Sequence, residues 1–325
     1  MKKRNILITG VSGLVGSHLL DRLLERGEHV TGIDDLSYGK LANIRKHFKN
    51  KHFRFHKIDI LDLSSMLKKI GPVDVILHMA AVKKIGEQDP ALPTLRVNGL
   101  GTENVLRLAM KRKAKVILGS TSDVYGLSER IPFREDSESV IGPSTVKRWA
   151  YAVSKLYSEH LGMSYHKDLG VPVVILRYFG AFSERASTAW SGGHIPIFID
   201  AVLKGKPVII HGDGKQTRSM GHVSDIVTGT LLAMDDPGAV GEIINIGNDE
   251  ELSILESAKK IHRLSGTLKP LKIKFVPMKS VFGAYREISR RVPDLGKAKR
   301  LLGYSPRVSF EEALRQIILK RKNKR

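Results

Sequence analysis

Hydrophobic positions in the first half of the chain fall into short runs separated by stretches of helical spacing. Apolar runs at 5–9, 29–34, 53–58, 73–78, 116–120 and 171–178 read as strands, and periodic stretches at 14–26, 63–70, 95–111 and 149–168 read as helices. The runs are rich in Val, Ile and Leu and do not alternate with polar residues, which is the pattern of strands buried on both faces. Regular alternation of the two kinds predicts an α/β fold built on a doubly wound parallel sheet. After Phe179 the texture changes and glycine and serine become frequent. Helices are predicted there at 196–204, 223–234, 253–264 and 309–321, and strands at 208–211 and 241–246. Ser309, followed by Glu311 and Glu312, reads as the N-cap of the last helix. No internal repeat interrupts this order.

Composition narrows the chemistry. The 325 residues contain no cysteine, which excludes a disulfide scaffold, a thiol nucleophile and a thiolate-bound metal. No apolar run is long enough to cross a bilayer. The N-terminal apolar core, Ile6 to Ile8, is too short for a signal peptide, so a cytoplasmic protein is expected. Lys and Arg number 54 against 33 Asp and Glu, a formal charge of +21. The basic residues are dispersed, densest at 320–325, and no aromatics interleave with them as in single-strand binders. The charge therefore reads first as a solvated surface and second as a field for small anions. Neither a nucleic-acid nor a membrane partner is expected.

Residues 6–16, ILITGVSGLVG, place a glycine turn between a strand and a helix. Gly10 makes the tight turn, Gly13 lets backbone approach a diphosphate, and Gly16 allows close helix–strand packing. Leu14 and Val15 open a helix whose free N–H groups face that anion. The second strand ends in Asp34-Asp35. An acidic residue there hydrogen-bonds adenosine ribose hydroxyls and repels a 2′-phosphate, so NAD is favoured over NADP. The fold expected is thus Rossmann-like. A NAD-binding domain spans 1–179, with segments near 213–250 returning to it, and a smaller mixed α/β substrate lobe spans 180–325. A second constellation lies at Thr121, after the fifth strand, and at Tyr151 and Lys155, one helical turn apart. A lysine ammonium beside a phenol lowers its pKa toward neutrality and makes Tyr151 a general base.

With TGVSGLVGSHL, HKIDILD, HMAAVKKIGEQDP, RVNGLGTENVL, STSDVYG, YAVSK, LRYFG, GDGKQTRSMGHVSD and RRVPDLGKAKRLLGY, the chain resembles the extended short-chain dehydrogenase/reductases of the NAD-dependent epimerase/dehydratase family. The resemblance implies adenine contacts at Asp59 and Ile60, and cofactor contacts at Ala80, Ala81, Lys83, Asn98 and Tyr178. It implies a catalytic triad of Thr121, Tyr151 and Lys155, with Ser122 and Asp123 beside the sugar. Arg185, Arg218 and Arg291 would hold a nucleotide diphosphate, which suits forked guanidinium groups. A homodimer is implied too, with Leu156, Leu161 and Met163 of the helix at 149–168 as contributors. Gly180, Met220 and His222 depart from the family pattern, where Asn, an aromatic and Tyr are common.

Members remove hydride from a sugar carbon and then differ. A 4,6-dehydratase needs a carboxylate pair after the threonine, whereas Ser122 and Asp123 supply one carboxylate. UDP-glucuronate decarboxylases carry Thr-Ser-Glu, close to Thr121-Ser122-Asp123. The stretch at 82–87 resembles that of UDP-glucose 4-epimerases, and Lys84 within it is a candidate partner for a sugar carboxylate. The reading favoured is a nucleotide-sugar 4-epimerase acting on UDP-glucose, UDP-N-acetylglucosamine or UDP-glucuronate. Its alternatives are a decarboxylase, a dehydratase and a non-catalytic nucleotide-sugar sensor.

Overall fold

The structure is a computed structural model and describes residues 3–83, 89–187 and 193–323. The stretch containing Lys84 therefore lies outside the described residues. In chain order the first half runs β1 (Asn5–Thr9), α1 (Leu14–Glu25), β2 (His29–Asp34), β3 (Phe53–Lys57), α2 (Leu63–Lys69), β4 (Val75–His78), α3 (Ala91–Arg112), β5 (Lys115–Thr121), α4 (Ala150–Leu169) and β6 (Val173–Tyr178). The second half adds β7 (Ala181–Phe182), α5 (His194–Lys204), β8 (Val208–His211), β9 (Thr217–Ser219), β10 (Gly221–His222), α6 (Val223–Asp235) and β11 (Ile243–Ile246). It closes with β12 (Glu251–Ser253), α7 (Ile254–Ser265), β13 (Ile273–Val276), α8 (Met278–Phe282), β14 (Arg290–Arg291), α9 (Gly296–Leu302) and α10 (Phe310–Lys322).

Seven parallel strands form the main sheet in the order β11-β6-β5-β4-β1-β2-β3. This is the doubly wound Rossmann-like arrangement predicted from the apolar runs. The central strands are sealed on both faces: Ile6, Leu7 and Ile8 of β1 and Ile76 and Leu77 of β4 have no more than 1% exposure. One face packs against α1, α6 and α9, with Leu19, Leu23, Ile226 and Leu231 in the core. The other packs against α2 and α3 through Met66, Val105, Leu106 and Ala109. The order of strands reverses between β1 and β4, so their C-terminal ends open a crevice, the usual seat for a ligand in such sheets.

β11 enters the sheet from the second half of the chain, and its Ile244 pairs in register with Leu176 of β6. The remaining elements form a lobe of their own. It has a three-stranded sheet, β12-β9-β14, and a parallel β8–β13 pair. Phe198, Ile199, Ile210, Ile261, Phe310 and Leu314 make its core. α7 starts with a complete capping box between Ser253 and Glu256, and Ser309 caps α10 as predicted.

Candidate active site

The glycine turn leaves β1 at Gly10, where φ is +68° and a Cβ would lie 2.7 Å from the Ala80 nitrogen. Only glycine fits there. A Cβ on Gly16 would collide with the Gly10 carbonyl oxygen, so α1 sits directly on the turn. The helix is capped by Gly13 with no side-chain bond, which leaves its first N–H groups open to the crevice. Asp34 ends β2 and accepts N–H bonds from Ser12 at 2.9 Å and Leu36 at 2.8 Å. Its carboxylate thus fixes the glycine turn as well as lining the cleft. Burial lifts its pKa above the ordinary value, against the two N–H donors.

Two adjoining clefts follow. One is walled by Gly10, Gly13, Asp34, Asp35, Asp59, Ile60, Ala80 and Ala81, and joins a second lined by Leu14, Val15, Gly16, Tyr151, Lys155 and Tyr178. These residues, a glycine-capped helix end and an acidic pair near the end of β2, fit a dinucleotide. Asn98 does not line either cleft. It is buried, accepts the Val82 N–H at 2.8 Å, and donates to the Val82 carbonyl at 3.0 Å and Ser154 Oγ at 2.9 Å. It therefore props the strand-end segment from below.

Beyond Tyr151 a chamber of about 210 Å³ opens between the sheet and the lobe. At its inner end Asp123, 2% exposed, sits on the turn that follows β5. Thr121 Oγ1 donates to its Oδ2 at 3.0 Å, Arg291 Nη1 to its Oδ1 at 2.9 Å, and Arg148 and Lys83 each approach to 3.4 Å. Burial would raise this carboxyl, but Arg291, Lys83 and Arg148 hold it well below the ordinary value. Ser122 lines the same wall. Lys83, expected along the cofactor, also reaches the sugar side, with its Nζ 5.1 Å from the centre of the Tyr151 ring. Burial pulls its pKa down, against Asp123.

Tyr151 is 8% exposed, with Thr121 among the groups acting on its phenol. Its phenol is shifted up, contrary to the sequence expectation. Burial dominates and the Asp123 charge adds to it, outweighing Thr121, Arg148 and Arg291. Lys155 is more deeply buried still, and its own ammonium is pushed down to about 8. Beneath this pair lies a polar bolt that spacing alone did not reveal. Glu159, one turn past Lys155, accepts from Ser120 Oγ at 2.5 Å and from Arg177 Nη2 at 2.7 Å. Tyr125 OH donates to Asn245 of β11 at 2.6 Å, tying the turn after β5 to the late strand.

The three arginines expected on one diphosphate do not converge. Arg218 and Arg291 line the chamber, but Arg185 lines the cofactor cleft and pairs with Asp21 of α1. Arg148, missed in the sequence, joins the chamber and stacks over Tyr285 at 4.9 Å. Its only signal was its place three residues before Tyr151. The departures at 180 and 220 explain each other. Gly180 has φ +24°, and any Cβ there would strike the Met220 sulfur. His222 caps α6, accepting the Ser224 N–H at 3.4 Å.

Residues 7–317 match the family model described as GDP-mannose 4,6 dehydratase. The chain belongs to this family. Its members are extended short-chain dehydrogenase/reductases that act on nucleotide sugars, as the sequence motifs imply. Within the family, UDP-N-acetyl-alpha-D-glucosaminuronate decarboxylase of Bacillus cytotoxicus is 40% identical over 98% of this chain and 97% of its own. UDP-glucuronic acid decarboxylase 4 of Arabidopsis thaliana is 34% identical over 96% of this chain and 67% of its own. The solved UDP-glucuronic acid 4-epimerase of Bacillus cereus, in complex with UDP-glucuronic acid and NAD, has a TM-score of 0.87 at 33% identity, covering 99% of this chain and 100% of that one. The family resemblance read from the sequence thus holds.

Proposed function

We propose that the protein is an NAD-dependent enzyme that oxidises C4 of a UDP-hexuronate and releases its carboxylate as CO₂, leaving a UDP-pentose. The observation that carries this is the charge of the chamber. Lys83, Arg148, Arg218 and Arg291 face it, against the carboxylates of Asp123 and Glu287. The diphosphate matches that surplus of two, but beside Tyr151 three cations, Lys83, Arg148 and Arg291, gather on the single carboxylate of Asp123, and there a uronate adds a negative charge where a neutral hexose adds none. Arginine and lysine in a partly enclosed site favour such an anion strongly.

Burial keeps the Tyr151 phenol protonated in the free protein; ionised by the positive charges of Lys155 and a bound nicotinamide, it would take the C4 hydroxyl proton with the Thr121 hydroxyl beside that oxygen. Bound NAD supplies the hydride acceptor, a positive charge, and the hydride that later returns. Oxidation makes the sugar a β-keto acid. The C5–C6 bond electrons then flow into the C4 carbonyl, CO₂ departs, and Thr121 and Tyr151 donate to the enolate oxygen. C5 would take a proton from solvent, and once C4 is reduced again the proton held by Tyr151 would return to the C4 oxygen. Asp123 remains a fixed anion throughout, because its three cations keep it ionised. The full-length likeness to a glucosaminuronate decarboxylase supports this course. A 4-epimerase acting on the same uronate is the second reading, supported by the solved epimerase and by the sequence at 82–87.

We place the enzyme in a homodimer. Leu156, Leu161 and Met163 pack into the subunit's own core. Among the apolar groups these helices leave exposed are Leu95 and Leu100 of α3 and Val153 and Tyr157 of α4.

The test is proton NMR of the holoenzyme with UDP-glucuronate and, separately, UDP-N-acetylglucosaminuronate. Loss of the carboxylate carbon with growth of a UDP-pentose supports the proposal. A C4-inverted product that keeps its carboxylate replaces it with the epimerase. No change with either compound, NAD being bound, removes both.

A further inference from the structure

The chamber's arginines are largely committed to the protein itself. Arg218 gives Nη1 to the carbonyls of Thr217 and Ile288 and Nη2 to Glu287. Arg291 gives Nη1 to Asp123. Three buried polar atoms of chamber-lining residues have no hydrogen-bond partner among the described residues: His194 Nε2, Ser219 Oγ and Arg291 Nε. His194 is the first residue of α5 and is 7% exposed, with its ring edge-on to Phe198 at 5.2 Å. The helix is capped by Gly193 with no side-chain bond. The N–H groups of His194 and Ile195 are thus available, while Pro196 has none. A helix N-terminus, an unpartnered imidazole and an unpartnered hydroxyl meet at one wall.

We propose that His194, with Ser219 and the Nε of Arg291, seats the diphosphate of the substrate, and that the imidazole takes up a proton as the anion binds. This rests on the nucleotide-sugar reading above. The groups facing the imidazole decide its charge. Arg218 comes from β9, Arg291 from β14, His211 from β8, and Glu287 from the segment before β14; Lys83, Arg148 and Asp123 stand farther along the wall. Cations outnumber carboxylates, and the α5 N-terminus adds positive potential. Burial first, and Arg218 second, hold His194 down to about 3, so it is neutral in the free protein. Arg218 and Arg291 against Glu287 leave one net positive charge near the imidazole, and the two negative charges of a diphosphate turn that balance negative. A group whose pKa rises on binding makes binding tighter as pH falls.

The experiment is calorimetric titration of the holoenzyme with UDP-glucose, whose diphosphate does not itself titrate near neutrality. It is run in buffers of different ionisation enthalpy at about pH 6 and about pH 8, bracketing imidazole titration. Net proton uptake and several-fold tighter binding at the lower pH are expected. His194→Asn and His194→Gln keep a donor but cannot charge. Both are expected to bind about tenfold more weakly, the worth of a charge-assisted hydrogen bond, and to lose the uptake. Uptake that persists in both variants, or none in the wild type, overturns the assignment. Absence of binding of both UDP-glucose and UDP-glucuronate by folded holoenzyme instead overturns the nucleotide-sugar reading beneath it. Because the wild-type result stands alone, misfolding of a variant does not shelter the idea.

Discussion

Asp123 shows how one side chain sets the conditions for its neighbours. Its charge draws three cations inward and opposes ionisation of Tyr151. Asp123→Asn leaves those cations facing one another, and a broken buried ion pair costs about 3–5 kcal/mol. Because the folded carboxyl lies well below its ordinary value, its stabilisation is complete at neutral pH and fades only as pH falls through the depressed value. Urea unfolding is therefore expected to separate wild type from Asp123→Asn at neutral pH, with the gap closing in strong acid. Lys155 gives the opposite sign. Its ammonium is lowered to about 8 from 10.5, so between those values the unfolded chain binds more protons and stability rises with pH. Turnover that needs the charged ammonium falls across the same window. Lys155→Arg, which stays charged, moves that alkaline limb upward in a single-turnover assay of NADH absorbance. Tyr151→Phe is expected to lower turnover by about 10²–10⁴-fold, the usual worth of a general base, with NAD still retained on extraction.

Among the elements, those with a short-range signature were the legible ones. The strands buried on both faces announced themselves as Val/Ile/Leu runs, and the strand-turn-helix at 5–25 by its glycines. What sequence spacing did not show were side chains brought together over long separations. Arg291 lies 168 residues from Asp123, and Arg185 lies 164 from Asp21. No local pattern sorts one arginine from another when every guanidinium has the same chemistry and only the tertiary fold selects its carboxylate. The pKa expectation for Tyr151 failed similarly, since spacing shows a neighbouring lysine but not the depth of burial. The glycine turn makes its own prediction. Gly16→Ala sets a methyl against the Gly10 carbonyl and must part α1 from the turn. Loss of NAD binding with little change in helix content is expected, read by cofactor fluorescence and circular dichroism.

At the scale of the molecule, the outer face of α3 and α4 is the surface that most needs covering. Leu100 is 49% and Tyr157 51% exposed, and Tyr157 lies over Gly99, where a Cβ would meet its ring at 3.3 Å. A charge at Tyr157 cannot be buried against a second copy, so on the proposed dimer the wild type is expected to sediment as a dimer and Tyr157→Glu as a monomer. The order of strands bears on how the polypeptide is made. β6 pairs on one side with β5 and on the other with β11, and β11 begins at Ile243, 65 residues after β6 ends at Tyr178. At typical elongation rates that interval lasts roughly 3–13 s. Throughout it the nascent sheet presents an uncovered apolar edge, Val-Val-Ile-Leu, to solvent or to a chaperone. A ribosome stalled within those codons would release a fragment that has the cofactor turn and the catalytic tyrosine but remains prone to aggregate.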